Sequence, residues 1–214
     1  MSHIPVLLPE ALTALCIQGD GIYLDCTFGR GGHSKAMLAE LGQSGRVIGL
    51  DRDPSAVAVG EELGAADPRF QIVHTAFSAL ESALDQLGIG QVLGILMDLG
   101  VSSPQLDDAE RGFSFQADGP LDMRMDPTHG ESAAAWIARA EAEEIANVLW
   151  VFGEERFSRR IARAIVDARL LEPIVTTSQL SRIIANAQPK RDPNKHPATR
   201  AFQAIRLFIN GELS

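Results

Sequence analysis

The stretch Tyr23-Leu24-Asp25-Cys26-Thr27-Phe28-Gly29-Arg30-Gly31-Gly32-His33-Ser34 decides the fold class. An apolar strand pattern, Ile22-Tyr23-Leu24, ends on an acidic residue, and a glycine cluster then opens a helix pattern at residues 33–41. That is the first turn of a βαβ nucleotide-binding unit. The glycines permit positive φ and let a ligand approach bare backbone. A second strand, Arg46-Val47-Ile48-Gly49-Leu50, ends on Asp51. An acid about 20 residues past the glycines suits a bond to ribose hydroxyls. Asp25 separates two kinds of cofactor. A dinucleotide brings pyrophosphate to this turn, and a carboxylate beside it would repel that charge. S-adenosylmethionine brings an ammonium and a sulfonium, so Asp25 favours a methyltransferase over a dehydrogenase.

The pattern continues outward from that turn. Strands are expected at 22–27, 46–50, 70–74 and 92–98, with helices at 33–41, 54–63 and 79–87 between them. The alternation predicts an α/β fold, a doubly wound parallel sheet covered on both faces. The run Val92-Leu93-Gly94-Ile95-Leu96-Met97 is nearly all apolar, like a central parallel strand, and ends on Asp98. Residues 101–130 are rich in Gly, Pro, Asp and Ser and read as a long structured loop. Helical periodicity then covers about 132–151, 154–170 and 176–187, and a last helix starts near 198. Its 3.6-residue period persists through Ala201, Phe202, Ile205, Phe208 and Ile209. A doubly wound sheet closed after a fourth apolar strand would leave that strand at an edge, which natural proteins avoid. The sequence is therefore expected to be the N-terminal part of a longer protein.

Composition sets the bounds. A length of 214 residues suits one domain, or one with an inserted subdomain, and 45% hydrophobic with 22% charged residues is ordinary for a globular chain. Cys16 and Cys26 form no CxxC pair, and the five histidines show no metal-ligand spacing, so neither a disulfide framework nor a metal site is expected. Without a basic segment before an apolar N-terminal run, or a span-length apolar stretch, the expected location is cytoplasmic with no membrane partner. The net charge of −9 argues against a generic nucleic-acid coat but leaves room for a local basic face.

The candidate chemistry gathers at the strand ends. Open α/β sheets bind ligands outside the carboxyl ends of their strands. Asp25, Asp51, Thr75-Ala76-Phe77 and Asp98 all fall there. Each aspartate also suits a turn or helix cap, His33 suits a capping or packing role, and Phe77 suits a core position as well as an adenine platform. Asp98-Leu99-Gly100-Val101-Ser102-Ser103-Pro104-Gln105 places a carboxylate, hydroxyls and an amide where a substrate base must meet a cofactor. An exocyclic amine is a poor nucleophile until acceptors bind its N–H groups and take its proton, a task open to Asp98. Basic residues cluster late: Arg156, Arg159, Arg160, Arg163 and Arg169 in one helix, then Lys190, Arg191, Lys195, His196, Arg200 and Arg206. They suit either a solvated face or a phosphate-contacting surface.

Seven segments together resemble one family. They are His3-Ile4-Pro5-Val6-Leu7, residues 25–34, Asp51-Arg52-Asp53-Pro54, residues 98–107, Arg111-Gly112-Phe113-Ser114-Phe115, residues 119–125 and His196-Pro197-Ala198-Thr199-Arg200. The sequence is similar to the bacterial 16S ribosomal RNA (cytosine-N4)-methyltransferases, also called the MraW family. The resemblance implies a class I, Rossmann-like methyltransferase core with an all-helical insertion. It divides the chain into a four-strand core at 1–100, a loop and helical insertion at 101–197, and a return helix to the core at 198–214. It implies S-adenosylmethionine as cofactor, with contacts from Gly31, Gly32, His33, Asp51, Phe77, Asp98 and Gln105, and Asp98 as the catalytic residue. The implied partner is 16S rRNA within the small ribosomal subunit, and the implied reaction methylates N4 of a decoding-centre cytosine. The family continues past the last helix into further strands, a PGG turn and a serine-phenylalanine-histidine segment that this sequence lacks. Two other functions remain open from the residues alone: an NAD(P)-dependent oxidoreductase and a non-catalytic RNA- or ribosome-binding module. The oligomeric state is not legible.

Overall fold

The computed structural model describes residues 5, 7–189 and 196–212. The chain forms two compact units, Met1–Gly100 and Val101–Ser214.

The first unit begins with a helix that sequence periodicity did not reveal, α1 (Leu8–Leu15). It carries a proline in its first turn and buries no residue fully. Leu12 and Leu15 nevertheless pack on the sheet cluster that contains Tyr23. Then follow β1 (Ile22–Asp25), α2 (Gly32–Glu40), β2 (Arg46–Asp51), α3 (Pro54–Ala66), β3 (Phe70–His74), a 3-10 turn (Phe77–Ala79), α4 (Leu80–Gln86) and β4 (Gly94–Leu96). Asp53 starts α3 by accepting the Ser55 N–H at 2.9 Å, and Pro54 presets the first helical φ.

All strand pairs are parallel, in the order β3-β2-β1-β4. One face packs Tyr23, Val47 and Phe70 against Met37, Leu38 and Leu41 of α2 and its loop. The other packs Leu24, Ile48 and Leu50 against Ala83 of α4 and Ile89. β4 is shorter than the expected 92–98 because it pairs only with the four-residue β1, from Tyr23↔Gly94 to Asp25↔Leu96. It is an edge strand, and Leu93, Ile95, Met97 and Leu99 are exposed along it.

The second unit contains α5 (Ser103–Asp107), a 3-10 turn (Ala109–Arg111), α6 (Ala133–Arg139), α7 (Ala142–Gly153), α8 (Ser158–Arg169), α9 (Thr177–Ala187) and α10 (Thr199–Asn210). A single apolar cluster holds it together, with Trp136, Ile145, Leu149, Ile161, Leu180 and Phe202 among its buried members. The helix expected over 132–151 is two helices. Ala140 and Glu141 are extended, with ψ of 137° and 154°. The Arg169 guanidinium, from α8, donates to the Ile137 and Ala140 carbonyls at 2.5 and 2.6 Å, satisfying the end of α6. α10 packs on α7 and α6 within this unit, and its apolar stripe, Ala201, Phe202, Ala204 and Ile205, is buried in the helical core. Among the described residues no helix is long and apolar enough to cross a membrane.

Candidate active site at the carboxyl ends of the strands

The turn after β1 is tied to both neighbouring strands. Cys26 donates its N–H to the Leu96 carbonyl at 2.9 Å, and Phe28 donates to Leu50 at 3.1 Å. The Thr27 hydroxyl accepts the Asp98 N–H at 2.8 Å, and the Asp51 carboxylate accepts the Gly29 N–H at 2.8 Å. One short turn therefore fixes the ends of β1, β2 and β4. The register is symmetric about β1. Asp25 pairs with Gly49 on one side and Leu96 on the other. Asp51 and Asp98 each lie two residues beyond those partners, so the two stand level with each other on either side of the turn that follows Asp25.

The three acids differ in environment. Asp25 is fully buried: one carboxylate oxygen accepts the Ser34 hydroxyl at 2.7 Å and the other the Thr27 N–H at 3.2 Å. Burial raises its carboxyl above the ordinary aspartate range, and those two donors offset this in part. Its observed role is to lock the turn to α2. Expected beside the cofactor's cations, Asp25 instead turns its oxygens to Ser34 of α2 and to its own turn. Asp51 is partly exposed and accepts two backbone N–H groups, from Gly29 and, at 2.9 Å, from Asp53. Burial raises its carboxyl too, against the lowering effect of those N–H groups. Such a carboxylate gains from a further hydroxyl donor. Asp98 is exposed. The expectation that it closes a buried strand does not hold, because β4 lies at the edge.

The other sequence-derived residues divide between packing and display. Gly31 is buried at φ 73°, and a Cβ there would sit 2.7 Å from the Phe28 ring, so the glycine admits an aromatic side chain of its own turn. A Cβ on Gly32 would meet Pro5 at 2.3 Å. His33 is buried in the first turn of α2. Phe77 is half-buried against the cluster that contains Leu24 and Ile48. Gln105 lies in the second unit, buried, and its amide oxygen accepts the Ser102 N–H at 2.9 Å at the start of α5. Cys26 is buried with its thiol pushed up to about 11 by desolvation and by Asp25, which makes it a poor nucleophile.

Sequence reasoning missed Gly29 and Thr27. Gly29 has φ 57°, and a Cβ there would meet only the Thr27 carbonyl oxygen, at 3.9 Å, so it is the least crowded glycine of this turn and the one a ligand can approach. The signal was its place directly before Arg30-Gly31, but the spacing alone did not rank the three glycines. Thr27 bonds a residue 71 positions away, which no local pattern encodes. The basic residues at 190, 191 and 195, and the segments at 3–4 and 6, lie outside the described residues.

A parallel sheet with helices on both faces, a glycine turn after its first strand and an acid closing its second define the α/β fold of class I S-adenosylmethionine-dependent methyltransferases. Within that class the chain belongs to the MraW methylase family, matched over residues 1–214. It is 58% identical over 212 residues to the ribosomal RNA small subunit methyltransferase H of Thiobacillus denitrificans, an alignment covering 99% of this chain and 68% of that protein. It is also similar, at 19% identity, to a solved Clostridium thermocellum protein provisionally described as an rRNA methylase. That match covers 38% of this chain and 46% of the other, with a TM-score of 0.33.

Proposed function

We propose that this chain transfers a methyl group from S-adenosylmethionine to the N4 amino group of a cytosine in the 16S rRNA of the small ribosomal subunit. The observation that carries the reading is the row of carboxylates at the ends of β2, β1 and β4, one of them partly exposed and still able to accept hydroxyls. The name of the 58% identical relative supplies the ribosomal substrate. S-adenosylmethionine would supply an electrophilic methyl on a sulfonium, and its donor set fits these residues. Asp51 accepts the ribose hydroxyls, the open backbone at Gly29 lets the cofactor approach, and the acidic edge favours the ammonium and sulfonium charges. The cofactor contacts expected of Gly31, Gly32 and His33 are best read as supporting ones, through the turn they pack. Phe77 bounds the adenine side, and Gln105 shapes the start of the substrate loop. Asp98, free of burial, accepts an N–H of the cytosine amino group, which localises the nitrogen lone pair, and then takes its proton.

Asp51→Ala should weaken S-adenosylmethionine binding by about 1.5–3 kcal/mol, the scale of a charge-assisted hydrogen bond. Titration calorimetry with unchanged affinity would remove Asp51 from the site. Asp98→Asn keeps shape and removes basicity, and should slow methylation of small subunits by roughly 10²–10⁴-fold. A parent-like rate would make Asp98 structural.

A further inference from the structure

Five arginines of the helical unit are spent on its own structure. Arg111 donates to the Arg124 and Met125 carbonyls, and Arg124 pairs with Asp122 at 2.7 Å. Arg139 pairs with Glu131 at 2.6 Å, Arg206 with Glu212 at 2.9 Å, and Arg169 holds the end of α6. Arg156, Arg159, Arg160 and Arg163 differ. All four are exposed, and among the described residues none has an ion pair or hydrogen bond from its side chain. They occupy eight consecutive positions without one acidic residue.

Local physics disfavours this arrangement. Arg159 and Arg160 stand in the first turn of α8, which has no acid there and no side-chain cap, so their charges oppose the helix dipole. Arg159 and Arg163 are four residues apart on one helix, where like charges repel. The helix forms because Ile161, Ala162 and Ile165 on its opposite side are fully buried against the core. The flanking acids do not neutralise the row. Glu155 is buried and accepts the Phe157 N–H and the Gln188 amide, while Glu154 and Asp167 are exposed at its two ends. Arg200 adds a further cation at the same corner, with its guanidinium donating to the Glu154 carbonyl at 3.0 Å. The two units also differ in balance. Residues 1–100 hold five basic and twelve acidic side chains, a balance of −7, whereas residues 101–214 hold fourteen and sixteen, a balance of −2. A row that violates two local rules without internal compensation marks a functional surface.

We infer that Arg156, Arg159, Arg160 and Arg163, with Arg200 at their edge, form a face that grips the phosphate backbone of the RNA substrate. Guanidinium forks match phosphate oxygens bidentately and keep their charge at every physiological pH. The rise from Arg159 to Arg163 is about 6 Å, within reach of successive phosphates on one strand. The face reads charge and spacing rather than base identity. The inference rests on the ribosomal RNA reading above, and the experiment separates the two.

The experiment measures binding of a 16S rRNA fragment as a function of salt, for the parent and for R156A/R159A/R160A/R163A. Each lost phosphate contact lowers the slope of log affinity against log salt by roughly 0.7–0.9, so the variant should lose about 3 from its slope. Its affinity for S-adenosylmethionine should be unchanged. Its melting midpoint should be equal or higher, because alanine relieves the repulsion and favours helix. The all-lysine variant should keep most of the slope. A variant slope equal to the parent's, with the parent binding RNA, overturns the phosphate face alone. A parent that neither binds the fragment nor methylates small subunits overturns the RNA reading and this inference with it. Loss of binding to vesicles rich in phosphatidylserine, with RNA binding intact, would assign the face to a membrane surface and overturn it as well.

Discussion

The sheet unit and the helical unit order their loops with side chains of opposite kind. In the sheet unit carboxylates do this: buried Asp25 and Asp53 and partly exposed Asp51 each take N–H or O–H donors at the strand and helix ends. In the helical unit donors do the structural work. Arg169 closes α6, Arg111 holds residues 124 and 125, and the Asn210 amide ties the loop before α6 to α10. The helical unit buries carboxylates too, but Glu212 is matched by Arg206 and Glu155 by backbone and amide donors. The sheet unit thus keeps negative charge at its strand ends, and the helical unit uses cations and amides to order an irregular segment. One arrangement prepares a ligand site and the other a scaffold.

The largest expected effect tests the scaffold. Asn210 accepts the Met125 N–H at 2.7 Å and donates to the Met123 and Arg206 carbonyls at 2.7 and 2.9 Å. Met123 is fully buried at φ 63°, a left-handed conformation that a methionine does not hold unaided. Asn210→Ala leaves a buried donor and a buried acceptor unpaired, at about 1–3 kcal/mol each. The expected loss is about 2–6 kcal/mol in urea unfolding. A loss under 1 kcal/mol would mean that Leu121 and Met123 hold the loop by packing alone, and the contrast between the units would fail.

That clamp also shows where sequence reading stops. The strands, the glycine turn and the acids at strand ends follow from local patterns of period two and from turn chemistry. So do α3, with Asp53-Pro54 at its start, and α8 and α9, with their apolar stripes. The break between α6 and α7 was not legible, because Ala140 and Glu141 are good helix formers and the group that ends α6 is Arg169, 29 residues beyond Ala140. Asn210 was not legible as a clamp because its partners lie 85 and 87 residues back. At the candidate site the acids could be named, but not ranked. Burial separates Asp25 from Asp98, and burial is set by which strand lies at the edge.

The middle effect is a difference in sign with pH. Burial raises the folded carboxyls of Asp25 and Asp51 above the ordinary value of about 3.9. Between that value and their folded values the native state binds more protons than the unfolded one. The sheet unit therefore loses stability as pH rises through that window and gains it on mild acidification. In the helical unit burial works against Asp122 and Asp126, but Arg124, Thr128 and His129 hold both carboxyls below the ordinary range. Their contribution is present above about pH 4 and lost as pH falls through the folded values. Half-buried Asp67, lowered by its Arg69 partner, works weakly against the sheet unit's trend. The probes separate naturally, since the lone Tyr23 lies in the sheet unit and both tryptophans, Trp136 and Trp150, lie in the helical unit. Urea unfolding followed by both signals should show the tyrosine transition shift to higher urea on mild acidification and the tryptophan transition shift to lower. Asp25→Asn should remove much of the first shift. Parallel shifts of both signals would erase the distinction.

The smallest effect sharpens the contrast inside the sheet unit itself. Leu24 is in register with Ile48 on β2 and with Ile95 on β4, so the three side chains share one face of the sheet. Leu24 and Ile48 are fully buried, whereas Ile95 keeps 45% of its surface exposed. The difference is one of position: β1 lies between Ile48 and Ile95, and among the described residues no strand pairs with the far side of β4. Ile48→Ala removes methyl groups from closed packing and should cost about 2–5 kcal/mol. Ile95→Ala gives up only half-covered surface and should cost about 1 kcal/mol or less. It should also weaken self-association, because Leu93, Ile95, Met97 and Leu99 together give the edge an apolar strip that favours contact between chains. Urea unfolding of the two alanine variants, with sedimentation velocity at several concentrations, measures both consequences. Equal costs for Ile48→Ala and Ile95→Ala would mean that the β4 face is covered in solution. The edge would then belong with the interior, and the acids at the ends of β2 and β4 would flank β1 in equivalent surroundings.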